Sequence, residues 1–238
     1  MILLSTDDVL ALAKPAGVSM ATSSRAGKSE REIVARLLGA CGVREAGSLR
    51  LVHRLDVGTT GVVLLARTDV ALRMLSRALQ EKTATKSYRA LVWGHPVPAR
   101  GRIDLPLARD PKDGRKMRVA SEGKASATRY RTLRRYRSLA DLEVTPESGR
   151  THQIRVHLAA KGHPVVGDDL YGGSERWHGV RDSRLRAALS RLGHPLLHAE
   201  RIAVAELGLD VEAPLPPDYE ELLALLSAGD PRSARGRG

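Results

Sequence analysis

Residues 51–68 read LVHRLDVGTTGVVLLART. An apolar lead-in, Leu51 and Val52, runs into His53, Arg54 and Asp56, then a small polar turn, then GVVLLAR at residues 61–67. That last run is almost wholly apolar and β-branched at its start, the pattern of a strand buried on both faces in the middle of a sheet. A carboxylate where a loop meets such a strand is rigidly held yet open to a ligand, which is where binding and catalytic groups concentrate.

Downstream, residues 69–81 place Ala71, Leu72, Met74, Leu75, Ala78 and Leu79 on one helical stripe, with Thr68 or Asp69 as N-cap. Upstream, residues 9–13 form a short apolar strand that ends in the turn Lys14-Pro15-Ala16-Gly17. Residues 19–28 are small and polar, and mobility is expected there. Residues 30–38 carry Ile33, Val34, Leu37 and Leu38 at helical spacing, with Gly39 and Gly42 as stops.

Residues 87–94, 127–135 and 139–145 read as strands; in the last, Leu142 and Val144 alternate with Asp141, Glu143 and Thr145. Strands without helices between them require an antiparallel or mixed sheet. Residues 151–161 turn helical, with Ile154, Leu158 and His157 on one side and Gly162 as the stop. Residues 181–192 suggest a basic surface helix, and residues 218–226 a helix entered through Pro214, Pro216 and Pro217. No internal repeat occurs. The expectation is one α+β domain over residues 1–226, with a central mixed, mainly antiparallel sheet flanked by helices and loops. The tail at residues 227–238 has a disordered composition.

The 238 residues, 42% of them hydrophobic, suffice for a sizeable core. Lys and Arg number 39 against 27 Asp and Glu, a formal charge of +12. Such a balance favours a polyanionic partner, although an Arg-rich chain also reflects coding bias. Residues 109–137 concentrate eleven of these cations against Asp110, Asp113 and Glu122, a stripe suited to phosphate contacts. The lone cysteine, Cys41, cannot form an internal disulfide and is read as a buried small hydrophobe. No run of about 18 apolar residues occurs, and the first dozen residues carry Asp7 and Asp8 where a secretory signal would be basic. No membrane association and a cytoplasmic location are expected. A phosphate-binding P-loop, a dinucleotide Gly fingerprint and a His-Glu-x-x-His helix are all missing from the sequence, which disfavours nucleotide-driven and zinc-dependent chemistry.

His53-Arg54-Leu55-Asp56, followed by Thr59-Thr60-Gly61 and an apolar strand, closely resembles the signature loop of the RluA-like pseudouridine synthases. The resemblance continues in the family's order through Lys14-Pro15-Ala16-Gly17, Lys86-Ser87-Tyr88, residues 149–157 (GRTHQIRVH), Gly162-His163-Pro164 with Gly167-Asp168 and Tyr171-Gly172, and Leu197-His198-Ala199. It spans residues 7–225. His53 matches the RluA-like branch, where the RsuA-like branch usually has Gly. Relatives usually carry Ser where Thr60 stands and a basic-polar pair where this chain has His194-Pro195-Leu196, which puts local loop geometry in doubt. Since the pattern begins within the first ten residues, the small RNA-binding domain that precedes it in many relatives is not expected.

The resemblance implies the pseudouridine synthase fold with its active site in a basic cleft, and RNA as partner. It implies isomerisation of uridine without metal or other cofactor. Asp56 matches the catalytic aspartate, acting covalently or as a base on the sugar. Arg54 resembles the side chain that holds the target base out of the RNA, and Tyr88 the tyrosine that stacks on uracil. Arg155 matches the arginine that pairs with the catalytic aspartate. Leu197 would wall the base pocket or simply pack in the core. His53, Lys86, Arg150, His152, Lys116 and Arg118 complete the RNA-facing set. His152 and His157 are read as hydrogen-bonding support, because no third ligand at metal-binding spacing accompanies them. Ribosomal RNA is preferred slightly over transfer RNA, and a monomer with no obligate protein partner is expected. An RNA-binding assembly factor without activity, or a hydrolase of the nucleoside bond, are the competing readings.

Overall fold

The computed structural model describes residues 1–21, 29–45 and 47–229. In chain order the elements are β1 (Ile2–Ser5), β2 (Val9–Lys14), α1 (Glu30–Ala40), β3 (Arg50–Leu51), β4 (Thr60–Ala66), α2 (Asp69–Glu81), β5 (Thr85–Trp93), β6 (Arg100–Asp104), β7 (Leu107–Arg109), β8 (Met117–Val119), β9 (Ala127–Arg135), β10 (Leu139–Pro146), α3 (Gln153–Ala160), α4 (Ser183–Ser190), β11 (Leu197–Val204), β12 (Leu209–Glu212) and α5 (Pro217–Ala228), with short 3-10 turns at Arg176–Gly179 and Ala205–Leu207. The residues fall into two compact units. The first holds Met1–Ser87 and His198–Pro214; the second holds Tyr88–Leu197 and the chain from Leu215 onward.

The first unit is built around β4. It pairs antiparallel with β2 along one edge, and on the other with β11 in parallel at its start and with β3 at its end. Every residue of β4 is buried, as its unbroken apolar run requires. Val62, Leu64 and Ala66 pack with Val9 and Ala11 against Ala71, Leu75 and Ala78 of α2, which begins at its expected cap, Thr68. Helix α1 is entered through a reciprocal capping box between Ser29 and Glu32. It runs two residues beyond the expected stop, through Gly39, and the chain turns at Gly42 with φ of 67°. Cys41 is half-buried rather than buried, its Sγ 3.4 Å from the Ala13 carbonyl.

Gly61 is required at its position. Its φ is 110°, and a Cβ there would stand 2.1 Å from the Ala199 carbonyl oxygen of β11. Gly61→Ala is therefore expected to destabilise by about 2 kcal/mol or more, read as a fall in the urea midpoint.

The second unit carries the antiparallel order β5-β10-β9-β6 and a separate two-stranded ribbon, β7 with β8. One apolar cluster joins Ala90, Val92, Leu142 and Val144 to Ile154 and Leu158 of α3. Another joins Leu91, Trp93 and Leu139 to Ala188 and Leu189 of α4 and to Tyr219, Leu222 and Leu226 of α5. Because these clusters occupy both faces of the sheet, Asp141 does not face water as its alternation in the sequence suggests. It is buried and satisfied by the Arg89 guanidinium and by the Tyr219 hydroxyl at 2.9 Å.

Helix α3 starts two residues later than expected, because His152 adopts the left-handed conformation with φ of 54°. Helix α4 is shorter than its basic stretch, beginning after the Asp182 cap. Ser227 and Ala228 belong to α5 and not to a tail. Residues 230–238 lie outside the described residues, as do residues 22–28 of the polar segment. Among the described residues, no helix is long and apolar enough to cross a membrane.

Candidate active site

In the first unit, Asp56 stands half-buried on the loop between β3 and β4. Arg54 is exposed and Leu55 is buried. Leu55 anchors the loop while its charged neighbours remain near the surface. The Asp56 carbonyl accepts the Thr59 N–H at 3.1 Å, closing a turn, and the Val57 carbonyl accepts from Gly17 at 2.9 Å, tying the loop to the Lys14–Gly17 turn.

Lys14 strengthens that tie. Only 2% exposed, it donates through Nζ to the carbonyls of Pro15 at 3.0 Å, Val57 at 3.0 Å and Thr59 at 2.8 Å. Three acceptors match the three protons of an ammonium. Burial lowers its pKa from the ordinary 10.5 to about 8, with the Asp56 charge opposing that shift. Above about pH 8 the folded protein releases a proton that the unfolded chain keeps until near 10.5. Stability therefore rises with pH across that window. Urea midpoints of the protein and of Lys14→Met should diverge in favour of Lys14 as pH climbs from about 8 to about 10.

His53 supports the same loop. Its Nε2 accepts the Leu64 N–H at 3.2 Å, while burial and the nearby Lys86 charge push the imidazole down to about 4. A neutral ring bonded to β4 steadies the strand rather than attracting phosphate. Burial also lowers the Lys86 amine. The Thr60 hydroxyl lies 2.8 Å from His198 Nδ1, and His198 Nε2 lies 3.1 Å from the Ala213 carbonyl. With Nε2 donating to Ala213, Nδ1 accepts from the threonine, so Thr60 supplies the hydroxyl that Ser would bring.

In the second unit, Arg155 is 4% exposed and bidentate on Asp168, Nε to Oδ2 at 2.7 Å and Nη2 to Oδ1 at 2.8 Å. Asp168 Oδ1 also accepts the N–H groups of Leu170 and Tyr171 at 3.1 and 3.2 Å. The guanidinium carbon lies 5.1 Å from the centroid of the Tyr171 ring. The Tyr171 hydroxyl is 2.8 Å from His152 Nδ1 and accepts the Met117 N–H at 2.9 Å. Tyr88 is half-buried on β5, opposite Val144 of β10. Leu197 is buried against Val92 and Leu142, the core packing that the sequence leaves as one of its two readings.

Arg150 is exposed, with its N–H held by Gln153 Oε1 at 3.1 Å. Gln153 is itself buried, and its amide nitrogen donates to the Ala127 carbonyl at 2.9 Å. His157 is fully enclosed among Thr128, Ser126 and the Leu105 carbonyl, and burial lowers its pKa. The basic stripe is more neutralised than its composition suggests. Arg115 pairs with Asp113, Arg118 with Glu122, Arg129 with Glu147 and Arg131 with Glu143. Lys116 and Arg118 flank Met117 at the start of β8, both half-buried.

The structure thus brings His53 beside Lys86 on one unit, and gathers Arg155, His152 and the Lys116–Arg118 strand around Tyr171 on the other. Lys14, Gln153, Asp168 and Tyr171 receive no role from sequence reasoning. Lys14, Asp168 and Tyr171 stand in short tags whose order is visible, but a buried ion looks like any surface ion in one dimension.

A profile of the RNA pseudouridylate synthase family matches residues 8–160. An uncharacterized RNA pseudouridine synthase of Mycobacterium bovis is 37% identical over 94% of this chain and 72% of its own length. Ribosomal large subunit pseudouridine synthase D of Pasteurella multocida is 35% identical over 95% of this chain and 71% of its own. Human RNA Pseudouridylate Synthase Domain Containing 4 superimposes with a TM-score of 0.73 at 24% identity, covering 94% of this chain and 92% of that one. Human RNA Pseudouridylate Synthase Domain Containing 1 gives 0.68 at 25% identity, covering 97% and 96%. The signature loop around Asp56, the α+β fold and these likenesses agree, and the chain belongs to the RluA-like branch of the RNA pseudouridine synthases, isomerases of RNA.

Proposed function

We propose that the chain converts specific uridines of large-subunit ribosomal RNA to pseudouridine, with Asp56 as the catalytic carboxylate and transfer RNA as the less favoured substrate. The observation that carries the proposal is the Asp56 loop. A half-buried carboxylate sits on a backbone held by two Lys14 hydrogen bonds, to the Val57 and Thr59 carbonyls, and two residues from an exposed arginine. The ribosomal assignment is supported by relatives such as the Pasteurella multocida enzyme, which is named for the large ribosomal subunit.

In the reaction the bond from ribose C1′ to N1 breaks and one from C1′ to C5 forms. The hydrogen on C5 leaves as a proton, and N1 gains one. Asp56 acts on the sugar, as a nucleophile or as a base. A stacked uridine is out of reach of that carboxylate, so the nucleotide flips out at a cost of a few kcal/mol. Arg54 occupies the vacated space, because a guanidinium can stack and bind phosphate together. Tyr88, stacking on uracil, and Arg155 complete the catalytic set. Lys86, Arg150, His152, Lys116 and Arg118 contact the RNA, and His53 and Leu197 support the site. Residues 1–226 act as one catalytic domain in a cytoplasmic monomer.

The test is to incubate the protein with unmodified large-subunit ribosomal RNA and with transfer RNA, then map carbodiimide-dependent reverse-transcription stops. Discrete stops in the ribosomal transcript are expected. Stops in transfer RNA alone would overturn the substrate assignment.

A further inference from the structure

The β7–β8 ribbon has only three residues in each strand. A two-stranded ribbon of that length is marginal by itself, so what fixes it from outside decides where Lys116 and Arg118 stand. Leu107 and Ala120 bury its base. Tyr171 fastens β8 directly: its hydroxyl accepts the N–H of Met117, the residue between those two cations.

The same residue reaches the buried arginine by two routes, one through its ring and one through its backbone. Its ring lies 5.1 Å from the Arg155 guanidinium carbon, a cation–π distance, and its own N–H donates to Asp168 Oδ1, the oxygen that also accepts from Arg155 Nη2. The hydroxyl is further held by His152, whose ring stands edge-on at 5.7 Å and 80°. His152 keeps the left-handed backbone conformation, which is uncommon for a residue with a side chain and costs about 1 kcal/mol or more. Such strain persists where surrounding contacts enforce it, and the Tyr171 contact is one of those. Tyrosine suits the position because it offers both a ring face for the cation and a polar tip for the strand.

We infer that Tyr171 is a positioning residue that locks the basic β7–β8 ribbon to the Arg155–Asp168 pair, so that RNA phosphates gripped by the ribbon are held in a fixed position relative to Arg155. The inference rests on the RNA reading above for its functional consequence but not for the tether itself. Tyr171→Phe keeps the ring and removes only the hydroxyl. With unmodified large-subunit ribosomal RNA transcript, KM should rise about fivefold to tenfold, the span of one neutral hydrogen bond, with kcat within about twofold. Without RNA, amide hydrogen exchange across residues 107–119 should accelerate while the global unfolding midpoint hardly moves. Tyr171→Ala, which also strips the ring from Arg155, should add a fall in kcat. Unchanged exchange at residues 107–119 in Tyr171→Phe would overturn the tether, and unchanged KM would overturn its consequence for RNA. If the unaltered protein modified no RNA, the function reading would fail, while the exchange measurement would still decide the tether.

Discussion

Asp56→Asn is expected to lower pseudouridine formation at least about a thousandfold while leaving the fold and RNA affinity intact. Asparagine has nearly the same shape, so the turn closed by the Asp56 carbonyl and Thr59 N–H survives. What disappears is the carboxylate charge, which both routes open to Asp56 require. Single-turnover assays on the same transcript, with binding measured in parallel, separate loss of chemistry from loss of affinity. Near-normal turnover would remove Asp56 from its assigned role. Tight binding without turnover by both the unaltered and the substituted protein would favour the assembly-factor reading.

Asp168→Leu should have the largest effect on stability, a loss of about 3 kcal/mol or more. It withdraws both carboxylate oxygens from a guanidinium that is 5% exposed in its side chain, and leaves the Leu170 and Tyr171 N–H groups without their acceptor. The double substitution Arg155→Met with Asp168→Leu should recover much of that loss, because exchanging a buried ion pair for apolar groups of similar volume is often neutral. Activity should not return with stability. Denaturant midpoints of the two single variants and the double give the coupling directly. Additive losses would mean that the pair contributes little.

These expectations join parts of the molecule that differ in how openly the sequence displays them. Helix α2 and strands β4 and β9 are legible because their patterns are long and periodic: the α2 stripe repeats over three turns, β4 is apolar throughout, and β9 keeps the bounds expected of it. Strands β6, β7, β8 and β12 are not, since each is short or exposes charge. In β6, Arg100, Arg102 and Asp104 are exposed and only Ile103 is buried, as an edge strand allows. The α3 start is misplaced by two residues because His152, an ordinary helix-compatible residue, is bent into a left-handed conformation by contacts distant in sequence.

The candidate site follows the same division. Asp56 and Arg54 are visible through their tetrad and through the apolar strand that follows it. The support beneath them is not. Lys14 is 43 and 45 residues from the Val57 and Thr59 carbonyls it holds, and its burial emerges only once β2 lies against β4. Arg155 announces that it needs an acid, since an arginine among apolar helix residues must be paired. That Asp168 is such an acid depends on the turn after Val166, which no periodicity encodes.

Isomerisation of uridine by Asp56 is tested most directly with large-subunit ribosomal RNA transcribed with uridine tritiated at C5, incubated with the protein beside an Asp56→Asn control. Isomerisation replaces the C5 hydrogen by the bond to ribose, so tritium should pass to water in step with the appearance of pseudouridine at discrete positions, with no release by the control. Equal release by the control, no release by either protein, or liberation of free uracil with the tritium still attached would contradict isomerisation by Asp56.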